Sequence, residues 1–105
     1  MNNKLNTVEK TIECIKKYDP DKIIIFGSYV RGEIDEYSDL DIIIIKKTES
    51  RFIERLIDVT KLIDYSLGKI DLFVYTPAEF QKMIELENPF INNVLKEGKV
   101  IYEKK

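Results

Sequence analysis

The sequence predicts an α/β (α+β) fold, in which a mixed β-sheet of about four strands has helices packed against it. Two short runs, 22–26 and 40–45, are rich in consecutive isoleucine and have the length of strands buried on both faces. A third run, 69–75, alternates between two sets of side chains, as a strand with two different faces does. The remaining segments carry apolar residues at helical spacing, so the predicted order is α-β-α-β-α-β-α and a short last strand.

Composition limits both the architecture and the chemistry. The chain has 105 residues, 44% hydrophobic and 34% charged, which fits one globular domain over 1–105. Its formal net charge of −2 gives no electrostatic footprint for nucleic acid, so no direct nucleic-acid binding is expected. One cysteine and no histidine exclude an internal disulfide, the usual zinc sites and histidine-based acid–base catalysis. We expect a cytoplasmic protein without a signal peptide or a membrane span.

The N-terminal third is predicted to form a helix, a strand and a helical turn. Apolar residues at helical spacing predict an amphipathic helix over 3–17, with Cys14 packed beside its apolar stripe. Pro20 ends this helix, because proline cannot continue it and restricts the residue before it. The strand over 22–26 then leads into a short helical turn at about 28–33.

A second helix is predicted between the second and third strands. Thr48 or Ser50 is expected to cap its start, and its apolar face runs from Phe52 to Leu67. Gly68 closes it, because glycine is favoured just after a helix.

Capping residues and prolines predict where the helices of the C-terminal third begin and end. The segment 76–79, Thr-Pro-Ala-Glu, is typical of a capping box with proline at the first helical position. Asn88 and Pro89 interrupt that helix and begin a further one. A last strand is expected over 100–102, and the charged tail over 103–105 is expected to fray.

A glycine turn and a pair of carboxylates flank the first two strands. Gly27 follows the first strand, where glycine allows a sharp turn and the close approach of a phosphate, and Ser28 offers a hydroxyl and an amide to an anion. Asp39 and Asp41 stand two apart at the head of the second strand, so their carboxylates lie on one face. A turn that leaves both aspartates solvated is the plain alternative. Together, the turn and the pair are typical of a nucleotide held through a divalent metal.

Asp71 is the third candidate carboxylate. It is a lone charge in the apolar run 70–74, where an unpaired buried carboxylate is costly. Either it faces water or a lysine on an edge strand, or the third strand lies beside the second and brings it to Asp39 and Asp41. In the second case a divalent cation relieves the repulsion, and oxygen ligands suit Mg²⁺ better than zinc.

The stretch from Gly27 to Asp41 resembles a known signature. Gly-Ser-x-x-Arg-Gly, a short spacer and Ser-Asp-x-Asp are similar to the motif of the DNA polymerase β-like nucleotidyltransferase superfamily, and Asp71 matches its third carboxylate. The short chain resembles the smallest branch, the minimal nucleotidyltransferase (MNT) proteins, many of which are antitoxins encoded beside a HEPN toxin. The resemblance implies the polymerase β-like fold.

The resemblance also implies a role for each matching residue. Asp39, Asp41 and Asp71 hold one or two Mg²⁺ ions, and Asp71 also accepts the proton of the attacking hydroxyl. Gly27 and Ser28 bind the phosphates of ATP.

Two further residues of the motif are candidates for nucleotide binding. Arg31 contacts the triphosphate or instead pairs with Glu33 or Asp35 to hold the loop. Ser38 forms a turn or contacts the nucleotide. The sequence leaves both choices open.

The resemblance implies a partner and a reaction as well. The protein is expected to be a type VII toxin–antitoxin system antitoxin that transfers AMP from ATP to a tyrosine of a cognate HEPN ribonuclease toxin, in a hetero-oligomer. Two alternatives stay open. One is a non-catalytic antitoxin that binds the toxin through apolar residues such as Phe80, Phe90 and Ile91, which either form that interface or simply belong to the core. The other is a free-standing nucleotidyltransferase with another acceptor.

Overall fold

The computed structural model describes residues 3–27, 40–63 and 70–104. Within these ranges the chain forms four helices and four strands. In chain order they are α1 (Asn3–Lys16), β1 (Lys22–Phe26), β2 (Leu40–Ile45), α2 (Phe52–Thr60), β3 (Ile70–Tyr75), α3 (Pro77–Glu85), α4 (Pro89–Glu97) and β4 (Lys99–Glu103). Across these ranges no helix has the length and hydrophobicity needed to cross a membrane.

The four strands form one mixed sheet in the order β3-β2-β1-β4. β1 pairs antiparallel with β2 and β4, whereas β2 and β3 run parallel. The isoleucine-rich strands β1 and β2 are therefore central, which confirms the prediction from their continuous apolar runs. The mixed four-stranded α/β architecture is also confirmed.

The two faces of the sheet pack on different helices. On one face Ile42 lies in a core cluster with Ile15 of α1 and residues of α2, and Cys14 packs beside it as predicted. On the other face Ile43 lies in a second cluster with Ile91 of α4 and side chains of α3. Successive residues of β2 therefore serve opposite faces, as strand geometry requires.

A buried arginine joins α2, β3 and α3. Arg55 is 5% exposed, and its Nη1 and Nη2 donate to the two carboxylate oxygens of Glu79 at 2.7 and 3.1 Å. Its Nε donates to the Ser50 carbonyl at 2.8 Å, and Nη1 also donates to the Val74 carbonyl at 3.3 Å. The hydrogen bond from Arg55 holds the pKa of Glu79 below its usual value. Glu79 also accepts from the backbone N–H of Thr76, which completes the predicted capping box of α3.

The second helix differs from the prediction at both ends. It begins after Arg51, whose side chain makes no capping bond, rather than at Thr48 or Ser50. The Thr48 hydroxyl instead accepts from the N–H of Ser50 in a turn before the helix. The helix ends at Thr60, and Ile63, 7% exposed, reaches the core from the turn that follows. The rest of the predicted helix, with its closing glycine, lies outside the described residues.

The C-terminal tail is ordered where fraying was predicted. β4 extends to Glu103, which forms an ion pair with Lys22 at 3.3 Å. The backbone N–H of Lys104 donates to the Asp21 carbonyl at 2.8 Å, and its Nζ pairs with Asp19 at 2.9 Å. This pair lowers the pKa of Asp19 and raises that of Lys104. The prediction of a frayed tail was wrong for these two positions, because their partners lie far away in the sequence.

Candidate active site

One row of paired residues crosses three strands at the edge of the sheet. Phe26, the last residue of β1, pairs with Asp41 of β2, and Asp41 pairs with Asp71 of β3. Residues paired in this way carry their side chains on the same face, on strands about 4.8 Å apart. The two half-buried aspartates therefore stand side by side on the face that packs against α3 and α4.

The apolar residues just before the aspartates set this register. Leu40 and Ile70 begin β2 and β3, are paired with each other, and pack with the core cluster on the opposite face of the sheet. Leu40 is 1% exposed. A slip of one residue would turn Leu40 out of the core and an aspartate into it, so burial fixes the position of Asp41. Because β2 and β3 are parallel, their N-terminal ends and both carboxylates meet at one edge.

Gly27 brings the end of β1 against the same carboxylate. Its φ of +92° lies in the region that favours glycine. A Cβ at this position would collide with Oδ2 of Asp41 and would lie 3.3 Å from Cγ of that residue. The carboxylate of Asp41 thus lies directly beside the glycine turn, and only a residue without a side chain leaves room for it.

The remaining site residues predicted from the sequence lie outside the described residues. They are Ser28, Arg31, Ser38 and Asp39. The structure therefore brings together Gly27, Asp41 and Asp71, and the roles of all seven residues stay predictions.

The described part of the site has the donor chemistry that Mg²⁺ requires. Mg²⁺ is bound through one or two protein carboxylates together with substrate phosphates and water. Asp41 and Asp71 supply the two carboxylates, and Gly27 lies directly beside the carboxylate of Asp41. Residues 3–27, 40–63 and 70–104 contain no cluster of three metal-ligating side chains, so this part of the chain supplies no third ligand. The pair fits Mg²⁺ bound jointly with phosphate.

Three phenylalanines pack together at this row and were not among the site residues predicted from the sequence. Phe26 belongs to the row itself, Phe73 follows Asp71 by two residues on the same face, and Phe90 comes from α4. Their ring centroids are 5.2–6.1 Å apart. The signal in the sequence was the position of Phe26 directly before Gly27 and the period-two spacing of Phe73 from Asp71.

The fold and the paired aspartates beside a glycine turn are those of a nucleotidyltransferase. The model of the family described as Polymerase beta, Nucleotidyltransferase matches residues 9–105, and the chain belongs to this family. Its relatives include two proteins of Methanocaldococcus jannaschii. Putative protein adenylyltransferase MJ0604 is 40% identical over 77% of each chain, and Putative protein adenylyltransferase MJ0141 is 36% identical over 82% of this chain and 83% of its own.

Solved structures share the fold. A protein of Sulfolobus solfataricus described as a putative nucleotidyltransferase superposes with a TM-score of 0.64 at 18% identity, and the match covers 99% of this chain and 90% of that protein. A toxin–antitoxin crystal structure with AMP-PNP gives a TM-score of 0.61 at 21% identity over 100% and 76% of the two chains. A mutant form of the toxin–antitoxin MntA-HpeT gives 0.61 at 21% identity over 93% and 73%.

Proposed function

We propose that the protein transfers AMP from ATP to a tyrosine hydroxyl of a cognate HEPN ribonuclease toxin, in a reaction that depends on Mg²⁺. It is then the antitoxin of a type VII toxin–antitoxin system, forms a hetero-oligomer with the toxin and acts in the cytoplasm. The pairing of Asp41 with Asp71 beside Gly27 carries the proposal. The names of the archaeal relatives support a protein acceptor, and the toxin–antitoxin neighbours support a toxin as partner.

Different residues of the proposed site bind the phosphate and the metal. A phosphate binds at the glycine turn that follows β1, where Ser28 donates its amide and hydroxyl to that phosphate. Asp39, Asp41 and Asp71 would hold Mg²⁺. When bound, the metal supplies positive charge to the triphosphate and to the oxygens whose charge changes during the transfer.

Asp71 is the general base of the proposed reaction. It accepts the proton of the tyrosine hydroxyl, whose oxygen forms a new bond to the α-phosphorus of ATP. The bond from that phosphorus to the bridging oxygen breaks, and pyrophosphate leaves. Asp71 lies on β3, the outermost strand on its side of the sheet, and in this proposal the acceptor from the second protein approaches from that side.

Transfer of label from α-labelled ATP to the toxin tests this function. The purified protein, Mg²⁺, ATP and the HEPN protein encoded beside it are incubated, and the experiment is repeated with Asp41→Asn and Asp71→Asn. Asp58→Asn is the matched control, because it removes an exposed aspartate of α2 outside the site. Thermal melting of each variant verifies that it is folded.

The expected result is a labelled toxin with the wild type and with Asp58→Asn, and loss of label by at least roughly 100-fold with either site variant. Label that persists in Asp41→Asn contradicts the proposed site. A toxin that is inhibited without label contradicts the enzymatic mechanism. Label on another acceptor, with the toxin unlabelled, identifies a free-standing transferase.

A binding-only antitoxin is the second candidate, and the structure changes the surface that it would use. The sequence left Ile91 either at an interface or in the core, and at 0% exposed it lies in the core. Phe80 and Phe90 are half-buried and pack against the core of the α3–α4 face. None of these three side chains stands free on the surface.

Exposed apolar side chains lie instead on α2 and after α3. Phe52 is 42% exposed and Leu86 is 70% exposed. Together with Tyr75 and Met83 they line a cavity of about 330 Å³. This surface is the observation that favours neutralisation of a toxin by contact alone.

Paired substitutions separate this candidate from the first. If contact alone neutralises the toxin, Leu86→Glu should weaken toxin binding at least about tenfold, whereas Asp41→Asn should still neutralise the toxin. Leu95→Glu is the control, since Leu95 on α4 is 50% exposed and does not line the cavity. Equal effects of the two glutamate variants would rule out a specific role for the α2–α3 surface.

A further inference from the structure

Phe26, Phe73 and Phe90 form a ring cluster at the boundary between the carboxylates and the core. The ring of Phe90 meets Phe26 edge-on, at 5.4 Å and 78°, and lies 5.2 Å from Phe73. Phe26 and Phe73 approach each other to 6.1 Å. These are the distances at which aromatic rings attract one another, so the three side chains hold each other in place.

The cluster lies one step from the carboxylates along the sheet. The next row on this face consists of Ile24, Ile43 and Phe73, and the first two are 5% and 0% exposed. All three rings, by contrast, are only half-buried. The aliphatic side chains thus close the core, whereas each ring keeps part of its surface exposed. Phe26 lies in the row of Asp41, and Phe73 follows Asp71 by two residues on the same face.

The N-cap of α4 holds the backbone of Phe90. The side chain of Asn88 accepts hydrogen bonds from the N–H of Phe90 at 2.9 Å and of Ile91 at 3.2 Å. Ile91 is 0% exposed and anchors the first turn of the helix in the core. Phe90 therefore has a fixed backbone beside the site, which lowers the entropic cost of binding a ligand against it.

We propose that this ring cluster binds the adenine base of ATP, an inference that rests on the proposed function. With the triphosphate at Gly27 and the α-phosphorus at Asp41 and Asp71, the uncharged base needs a surface that is not acidic. A purine presents a flat π-face, and stacking on an aromatic side chain contributes about 1–3 kcal/mol per base, or roughly 5- to 150-fold in affinity. Among the described residues of this face, Phe26 lies in the carboxylate row, and Phe73 is the most exposed member of the next row, to which Ile24 and Ile43 also belong.

Comparison of ATP with inorganic tripolyphosphate tests the inference, because tripolyphosphate has the phosphates without the base. Binding of each is measured by calorimetry in Mg²⁺ for the full chain and for Phe90→Leu, Phe26→Leu and Phe90→Tyr. Phe80→Leu is the matched control, since Phe80 packs in the same core without belonging to the ring cluster. We expect Phe90→Leu and Phe26→Leu to bind ATP about tenfold more weakly and tripolyphosphate as the wild type does. Phe90→Tyr, which keeps the ring, and Phe80→Leu should bind both ligands normally.

Each other outcome has a distinct meaning. If Phe90→Leu and Phe26→Leu bind ATP like the wild type, the inference is overturned while the proposed function stands. An equal loss for tripolyphosphate, or a loss of the same size in Phe80→Leu, assigns the rings to folding and also overturns it. Unchanged ATP affinity with a raised KM for the toxin would assign the rings to the acceptor tyrosine instead. A wild-type protein that binds neither ATP nor tripolyphosphate would overturn the proposed function itself.

Discussion

The carboxylate of Asp41 lies against the backbone of Gly27, in the space that the Cβ of any other residue would need. Gly27→Ala is therefore expected to destabilise the fold in two ways. The φ of +92° alone costs an alanine roughly 1–2 kcal/mol, and the displaced carboxylate adds to this. The free energy of unfolding, measured by urea titration, should fall by about 2–4 kcal/mol in total.

A double-mutant cycle separates the two contributions to the Gly27→Ala effect. In an Asp41→Ala background the collision is absent, so the same substitution should cost at least about 0.5 kcal/mol less. An identical cost in both backgrounds would show that the Asp41 carboxylate does not occupy the turn.

The pairing of Asp41 with Asp71 predicts opposite effects of one substitution with and without metal. Like charges directly opposite in a sheet are destabilising, so without metal Asp71→Asn should melt at or above the wild-type temperature. With Mg²⁺ and a non-hydrolysable ATP analogue at about 100 times its Kd, the wild type should gain about 2.7 kcal/mol, or roughly 10–20 °C in Tm. Asp71→Asn should lose most of this gain, whereas Asp58→Asn should keep it. An equal thermal shift in all three proteins would exclude Asp71 as a metal ligand.

Arg55 is expected to be the charged side chain on α2 whose replacement costs most. Lysine cannot reproduce the fork that reaches both Glu79 oxygens and the Ser50 carbonyl, so Arg55→Lys should lower the free energy of unfolding by about 2 kcal/mol. Arg51→Lys is the control, because Arg51 has an 83% exposed side chain and pairs with Glu54 only three residues away. Its effect should stay within about 0.5 kcal/mol. Similar urea midpoints for the two variants would mean that the Arg55 contacts contribute little.

Local patterns in the sequence were enough to predict much of the fold. Continuous isoleucine marked the two central strands, and the Thr76–Glu79 capping box marked the start of α3. Both signals depend on neighbours in the chain or on burial alone. The proximity of Asp71 to Asp41 was also predictable, since it needs only that the second and third strands pair in parallel.

The features that sequence analysis missed depend on contacts between distant segments. The apolar periodicity predicted that the second helix continues past Thr60. Ile63 fits that periodicity because it is buried, although it lies in a turn. Lys104 is held by Asp19, which is 85 residues away, so nothing near it in the sequence indicates order. The ring cluster likewise takes one side chain from each of three elements, and the fold alone brings Phe90 of α4 to Phe26 and Phe73.

The Arg55–Glu79 pair predicts how stability depends on acid. Because the hydrogen bond from Arg55 lowers the pKa of Glu79 in the folded protein, the unfolded chain binds the proton more readily. The stabilisation is therefore complete above the ordinary glutamate pKa of 4.5 and is lost as the pH falls through the lower folded value. Glu79→Gln keeps an oxygen for the cap of α3 but cannot lose a charge.

This variant should be less stable than the wild type near neutral pH, and the difference should shrink as the pH is lowered from about 5 toward 2. Urea midpoints at constant ionic strength across this range measure that difference. Lys104 also lowers the pKa of Asp19, so the Asp19–Lys104 pair loses stabilisation over the same acidic pH range. Asp19→Asn measured in parallel shows how much of the pH dependence of stability comes from this pair. A gap between Glu79→Gln and the wild type that stays constant from neutral to acidic pH would mean that Glu79 contributes through packing rather than through its charge.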